Sequence, residues 1–423
     1  MTFTRKASLF TLFATIFFCG CENRVEYDPE EILVTIDTGN WLTGTQGFVI
    51  IENRESGAIF SELTKGQECI LKRGEKIKGD HYNLHLLNII KTPDDEVISW
   101  KLYSFLEVLP GQDVDLYYVF NPGTTILEKV NWVGNIIFTE VPSFDIVTRS
   151  ANNPRHCHTL NTLVVPCALP GNDMYFSGNY FYTCLQQGDD AGYKLVYIPD
   201  ESFDEYEISL SDLNDDMTMH LITADPSQVY IDIMAYGSSG SLEIFALHDE
   251  TVFPDDNIKV FVPDGIPQMT SFSTTYNKPA VSGHGQTSIY RNSTVTTDFS
   301  FLEAELTLNH ISGSMPSIIH NNTGFSQLNT NLIFTGHIGS WSIVHPNASS
   351  LYRPELPAEV LGAISSGFIL EDQLSNVINV SVTAIDDSRC QDYYDAIDLT
   401  LDPESTLADS YSRLSDVVQF SHN

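Results

Sequence analysis

The chain has 423 residues, more than one ordinary hydrophobic core holds, which points to two or three domains. Hydrophobic residues make up 42% and aromatic residues 11%, so this is a folding chain rather than a disordered one. Against 21 basic side chains stand 56 acidic ones, a formal charge of −35. That field repels phosphate backbones and anionic headgroups and argues against nucleic acid as a partner.

The first residues read as an export signal. Arg5 and Lys6 precede an apolar run from Ala7 to Phe18, about a dozen residues where a spanning helix needs roughly 20. Cys19-Gly20-Cys21 follows, and a small residue directly before a cysteine resembles the lipobox of bacterial lipoproteins. That resemblance implies cleavage after Gly20 and a lipid on Cys21. Cys19 is the weaker acceptor because bulky Phe18 precedes it. Removing residues 1–20 loses Arg5 and Lys6 and no acid, which takes the charge from −35 to −37. Each buried methylene contributes about 0.8 kcal/mol, so two or three acyl chains hold the protein on the bilayer.

Residues 21–30 are acidic and patternless, as a tether would be. Period-two alternation then begins and recurs to the end of the chain, which predicts strands. Ile32, Val34 and Ile36 share a face, and Trp41 follows in a loop of small polar residues. Around His81 and His85 the alternation of Tyr82, Leu84 and Leu86 predicts a strand with both histidines on its polar side. Ile98, Trp100, Leu102, Leu106 and Val108 share another face, followed by a turn at Pro110-Gly111. A first sandwich is therefore expected over 31–122, ending at Asn121-Pro122-Gly123.

A β-rich middle domain is expected over 123–280. Trp132 lies near its start beside Asn131 and Gly134. His156-Cys157-His158 is the densest set of metal-ligand types, yet an extended segment points Cys157 away from both histidines, and a polar loop explains it better. Beyond Cys21 five cysteines remain, an odd number, so at least one thiol stays free. Cys157 and Cys167 are the nearest pair and can close a short disulfide loop across Pro166. Asp212, Asn214, Asp215 and Asp216 lack the glycine and distal glutamate of a calcium loop and read as a solvated turn.

The C-terminal domain is expected over 281–423. Leu302, Ala304, Leu306 and Leu308 alternate with Glu303, Glu305 and Thr307. Trp341 sits beside Gly339 and Ser340, and Ile378, Val380, Val382 and Ala384 alternate with polar neighbours. Helical pattern is scarce. Ala358–Ile364 is a short possibility, and Asp402-Pro403 followed by Leu407, Tyr411, Leu414 and Val418 predicts a C-terminal helix. The fold class read from this pattern is all-β: two to three linked antiparallel β-sandwich domains with few short helices.

The region around Phe48-Val49-Ile50-Ile51, its turn at Asn53 to Gly57, and the strand pair ending in Leu109-Pro110-Gly111 resembles immunoglobulin-like or transthyretin-like modules of Bacteroidota surface lipoproteins. The resemblance implies an outer-membrane lipoprotein, and the acidic residues after Cys21 loosely resemble an outward-sorting signal. No serine elbow, phosphate-binding glycine loop, zinc-protease helix motif or EF-hand loop occurs, and nothing points to a cofactor. The leading expectation is a non-catalytic surface lipoprotein with a binding, adhesion or assembly role and a protein or glycan partner. Trp41, Trp132 and Trp341 are its candidate ligand residues, because tryptophan among small polar residues can stack on a sugar or anchor a partner. An accessory glycan-binding lipoprotein of nutrient uptake is the alternative, and a glycoside hydrolase with a carboxylate pair is the third.

Overall fold

Alternation becomes strand pairing almost throughout the residues described by the computed structural model: 27–39, 45–53, 55–120, 135–139, 145–149, 155–158, 164–168, 180–187, 189–197, 205–223, 228–237, 244–252, 257–266, 269–321, 324–335, 338–346, 354–401 and 410–421. The protein is all-β, with sandwich-like layers and short helices.

Seven strands come first: β1 (Ile32–Asp37), β2 (Thr45–Asn53), β3 (Gly57–Leu63), β4 (Cys69–Lys72), β5 (Tyr82–Lys91), β6 (Val97–Val108) and β7 (Gln112–Asp115). Helix α1 (Leu116–Phe120) follows them. The sheet β4-β1-β7 faces β3-β2-β5-β6. Leu33, Val34 and Ile36 of one layer pack on Val49, Ile51, Leu84 and Leu86 of the other, and Val119 and Phe120 close the end. Because β1 pairs with β4 and β7 rather than with β2, the order differs from the immunoglobulin arrangement, where the first two strands are neighbours. Arg73, buried, staples the layer edge by ion-pairing Glu31 and donating to the Gly79 carbonyl at 2.6 Å.

The middle segment contributes β8 (Asn135–Thr139), β9 (Asp145–Arg149), β10 (Arg155–His158), β11 (Val164–Ala168), β12 (Tyr180–Gln187), β13 (Asp190–Tyr197) and β14 (Glu205–Ser209). Then come β15 (Met217–Thr223), β16 (Val229–Tyr236), β17 (Ile244–Val252), β18 (Asn257–Pro263), β19 (Ser271–Val281) and β20 (His284–Asn292). Ile231, Ile233 and Tyr276 pack against Ile222, Val260 and Tyr182 to form a second sandwich-like core. The remaining elements are β21 (Thr307–Asn309), β22 (Ser317–Ile319), β23 (Gln327–Phe334), β24 (Ile338–His345), α2 (Ala358–Leu361), α3 (Leu370–Gln373), β25 (Val377–Asp387), α4 (Tyr393–Leu401) and β26 (Tyr411–Ser421).

One sheet runs through all three segments. Among the described residues its order is β17-β16-β19-β20-β26-β25-β23-β24-β6-β5-β2-β3, twelve strands. Antiparallel β20–β26 pairing joins the middle segment to the C-terminal strands, and parallel β24–β6 pairing joins those to the first sandwich. At that junction Gly339 lies opposite Trp100, and a side chain on Gly339 would overlap the indole.

Several details correct the sequence expectations. The sheet is covered on both faces at β5, where Tyr82 to Ile89 are all buried, so His85 is core rather than surface while His81 is exposed. A bulge at Glu107, whose φ is 56°, moves Val108 off the face of Trp100, Leu102 and Leu106. A second bulge, opposite Ile333 and Phe334, exposes Ile378 and buries Val377. Leu302, Ala304 and Leu306 are buried as expected, but their segment is extended without a ladder and is held by single bonds such as Ala304 N–H to Asp416 Oδ2 at 3.1 Å. The expected C-terminal helix is strand β26, paired on both sides, from Tyr411 onward; residues 402–409 lie outside the described residues. Leu414 and Val418 are four apart, an interval that keeps one face in either period, so the spacing could not discriminate.

Gly339→Ala is expected to lower the unfolding free energy by about 1–3 kcal/mol, the usual cost of overpacking. Urea denaturation checks it, and a loss below about 0.5 kcal/mol would show that the β24–β6 junction yields readily.

Candidate functional site

One face of the large sheet is mainly apolar across these strands: Trp100, Leu102, Trp341, Ile343 and Leu332 run into Leu328, Val382 and Ala384, with Ser104 and Thr330 buried among them. The other face begins apolar, with Phe105 on β6 and Val344 on β24, and then changes character. Gln327, Asn329 and Asn331 recur at every second position of β23, so their side chains share that face. Ser342 of β24, Asp387 of β25 and Arg413 of β26 join them. A cavity of about 410 Å³ lies over this polar stretch, closed by Leu399 and Thr400 of α4 and walled by Tyr103, Phe105 and Val119. Its size falls in the usual range of small-molecule sites.

Helix α4 is placed by its own sequence. Asp392 Oδ1 accepts the backbone N–H groups of Tyr394 (2.8 Å) and Asp395 (3.1 Å), and Tyr393, Ala396, Ile397 and Leu401 form the buried stripe. The Tyr393 hydroxyl donates to the Leu106 carbonyl at 2.6 Å, with the Val344 carbonyl at 3.2 Å, which pins the helix across the β6–β24 seam.

The polar lining divides into engaged and unengaged groups. Both carboxylate oxygens of buried Asp387 accept from Arg389, Oδ1 from Nε at 2.8 Å and Oδ2 from Nη2 at 2.6 Å. Burial, with the Asp387 charge second, pushes the Cys390 thiol up to about 11, so it is no nucleophile at neutral pH. Burial also raises the Tyr103 phenol, which stays neutral. In contrast, Gln327 Oε1 and Asn329 Oδ1 are buried without a hydrogen-bond partner. Such an acceptor costs about 1–3 kcal/mol unless something donates to it. The arrangement is suited to hydrogen-bond recognition.

A Ser–His–Glu sequence of contacts occurs elsewhere. Ser104 Oγ lies 2.8 Å from His85 Nδ1, and His85 Nε2 lies 3.3 Å from Glu52 Oε2. Trp341 Nε1–H donates to the same Ser104 oxygen at 2.9 Å, and Glu52 Oε1 accepts from Glu355 N–H at 2.9 Å. Ser104 and His85 are fully buried and Glu52 nearly so, and all their bonds close on protein groups. This is a structural network; a nucleophile there could not meet a substrate.

Trp341 is therefore corrected from candidate ligand residue to core: it is wholly buried and its indole N–H is engaged. Cys21, Trp41 and Trp132 lie outside the described residues. Cys157 falls on β10 and Cys167 on β11, strands of different sheets; their side chains lie outside those described. The acidic loop is a capped turn: Asp212 Oδ2 accepts from Ser209 N–H at 2.9 Å, and those bonds hold its carboxyl below the usual range. Among the described residues no group of three or more His, Cys, Asp or Glu is placed to hold a metal ion, and no helix is long and apolar enough to cross a membrane. Gln327, Asn329 and Arg413 were missed by sequence reasoning. The i, i+2, i+4 amides of 327–331 and the Asp392 cap were the available signals.

A second depression of about 480 Å³ has Asp298 and Glu303 at its rim, but its rings are already occupied. Phe299 stacks on Tyr276 at 3.9 Å, and Phe301 has Lys278 above it at 5.7 Å. The chain matches no family model and no curated protein.

Ser104→Ala is expected to leave the Trp341 N–H and the His85 Nδ1 unpaired and to cost roughly 2–4 kcal/mol. Denaturant unfolding measures this, and a change within about 0.5 kcal/mol, the scale of ordinary surface substitutions, would remove the network from the stability argument.

Proposed function

We propose that this chain is an exported, lipid-anchored binding protein of the outer membrane, attached through Cys21, with a non-catalytic role exercised by the cavity beneath α4. The observation that carries the binding part is the pair of buried, partnerless carbonyl oxygens of Gln327 and Asn329 lining that cavity. The basic, apolar, Gly-Cys order of the first 21 residues supports the anchor. Adhesion or assembly at the cell surface is compatible with such an anchor.

The glycan-binding alternative is favoured by a specific feature. Amide groups line one wall of the cavity and Tyr103 and Phe105 another, which matches the hydroxyl edge and apolar face of a sugar. A hydrolase with a carboxylate pair finds less support there. Among the described residues the lining holds one carboxylate, Asp387, and Arg389 occupies both of its oxygens.

Two measurements test this. Cys21→Ser is expected to abolish palmitate labelling and release the protein from the membrane fraction; normal labelling would sink the anchor assignment. Leu399→Trp fills the cavity and is expected to eliminate capture of any ligand found by a glycan and metabolite screen, with the melting temperature of the protein preserved. Undiminished capture by that variant would place the binding site elsewhere.

A further inference from the structure

The cavity holds one more unengaged group. Arg413 lies on β26 directly opposite Asp387 of β25 and lines the cavity. Register alone would pair the two, but Arg389 already saturates the Asp387 carboxylate. Among the described residues the Arg413 side chain has no hydrogen bond or ion pair of its own, while its backbone pairs in the ladder. In a chain with 21 basic and 56 acidic side chains, a half-buried guanidinium left without a carboxylate is a notable arrangement. Guanidinium is the side chain best matched to a carboxylate, through two parallel donors.

From these positions we propose that the cavity binds a small hydroxylated carboxylate of sugar-acid type, its carboxylate on Arg413 and its hydroxyls donating to Gln327 and Asn329. The inference rests on the reading of the cavity as a ligand site and specifies its ligand class. Gln327 pairs with Ile385, two residues before Asp387, so β25 alone separates Gln327 from Arg413. Two strand spacings across and two residues along put the backbone positions about 10–12 Å apart. Side chains standing up from the sheet at these two positions can flank a ligand about one sugar ring wide. Tyr103 and Phe105 supply an apolar wall for its C–H face. Hydroxyl donors fit better than an ammonium group, because among the described residues Asp387 is the only carboxylate in the lining and it is already neutralised by Arg389.

Calorimetric titration of the purified full chain tests this, with D-glucuronate, D-galacturonate and N-acetylneuraminate as acidic probes and D-glucose and D-galactose as neutral ones. At least one acidic probe is expected to bind about 10-fold or more tightly than the neutral sugars. Arg413→Gln should erase that preference, Arg413→Lys should retain part of it, and Asn329→Ala should weaken acidic and neutral probes alike. Circular dichroism and melting temperature certify that each variant is folded, and Arg413→Lys keeps the test decisive if Arg413→Gln is not. Equal binding of acidic and neutral sugars, or an acidic preference untouched by Arg413→Gln, overturns the carboxylate assignment. Neutral-sugar binding that Leu399→Trp removes would leave the cavity reading standing while this inference fails. Binding of no probe, or full-affinity binding of an acidic probe to Leu399→Trp, overturns both.

Discussion

The parallel pairing of β24 with β6 is the constraint on which the architecture depends. Without it the first sandwich would end at β6, an edge strand with free N–H and C=O groups. With it, four N-terminal strands continue into the C-terminal strands and onward through β26 to the middle segment. The close approach requires Gly339, because the Trp100 indole fills the space a side chain would take. It also sets the two carbonyls, Leu106 and Val344, that meet at the Tyr393 hydroxyl. Helix α4, and with it the roof of the cavity, is thus positioned by the seam.

Two polar constellations flank this seam and illustrate opposite outcomes of burial. Glu52, His85, Ser104 and Trp341 close their bonds on one another and on the Glu355 N–H. A buried network completed in this way stabilises and specifies the packing. Gln327 is buried and Asn329 half-buried, and each of these cavity-lining residues keeps a carbonyl oxygen without a hydrogen-bond partner. Proximity of serine, histidine and glutamate is therefore a poor guide to chemistry here; access and unmet hydrogen-bonding capacity are better ones.

The acidic balance of the chain and the composition of the cavity differ in kind. The acidic balance, 56 acidic against 21 basic side chains, belongs to the sequence as a whole. Among the described residues that line the cavity the only carboxylate is cancelled by Arg389, and Arg413 remains. Local electrostatics near the ligand groups are consequently cationic against a strongly anionic whole.

What the sequence determined by itself was the secondary-structure class. Strict alternation at 98–102 and 380–384 can be satisfied only by strands, and Pro110-Gly111 and Asp264-Gly265 turn where glycine adopts positive φ. It also carried the basic, apolar, Gly20-Cys21 order on which the proposed anchor rests, a linear pattern. Alternation cannot say what covers the second face of a sheet, so it misplaced His85 and Trp341, whose burial comes from elements hundreds of residues away or on the opposite strand. It cannot register a bulge, so Val108 and Ile378 changed faces. A four-residue spacing fits both periods, so β26 read as helix until pairing with β20 and β25 decided it. The cavity was decided only in three dimensions: Gln327, Asn329 and Arg413 are ordinary polar residues until the ladder order β26-β25-β23-β24 sets them on one face and α4 encloses them.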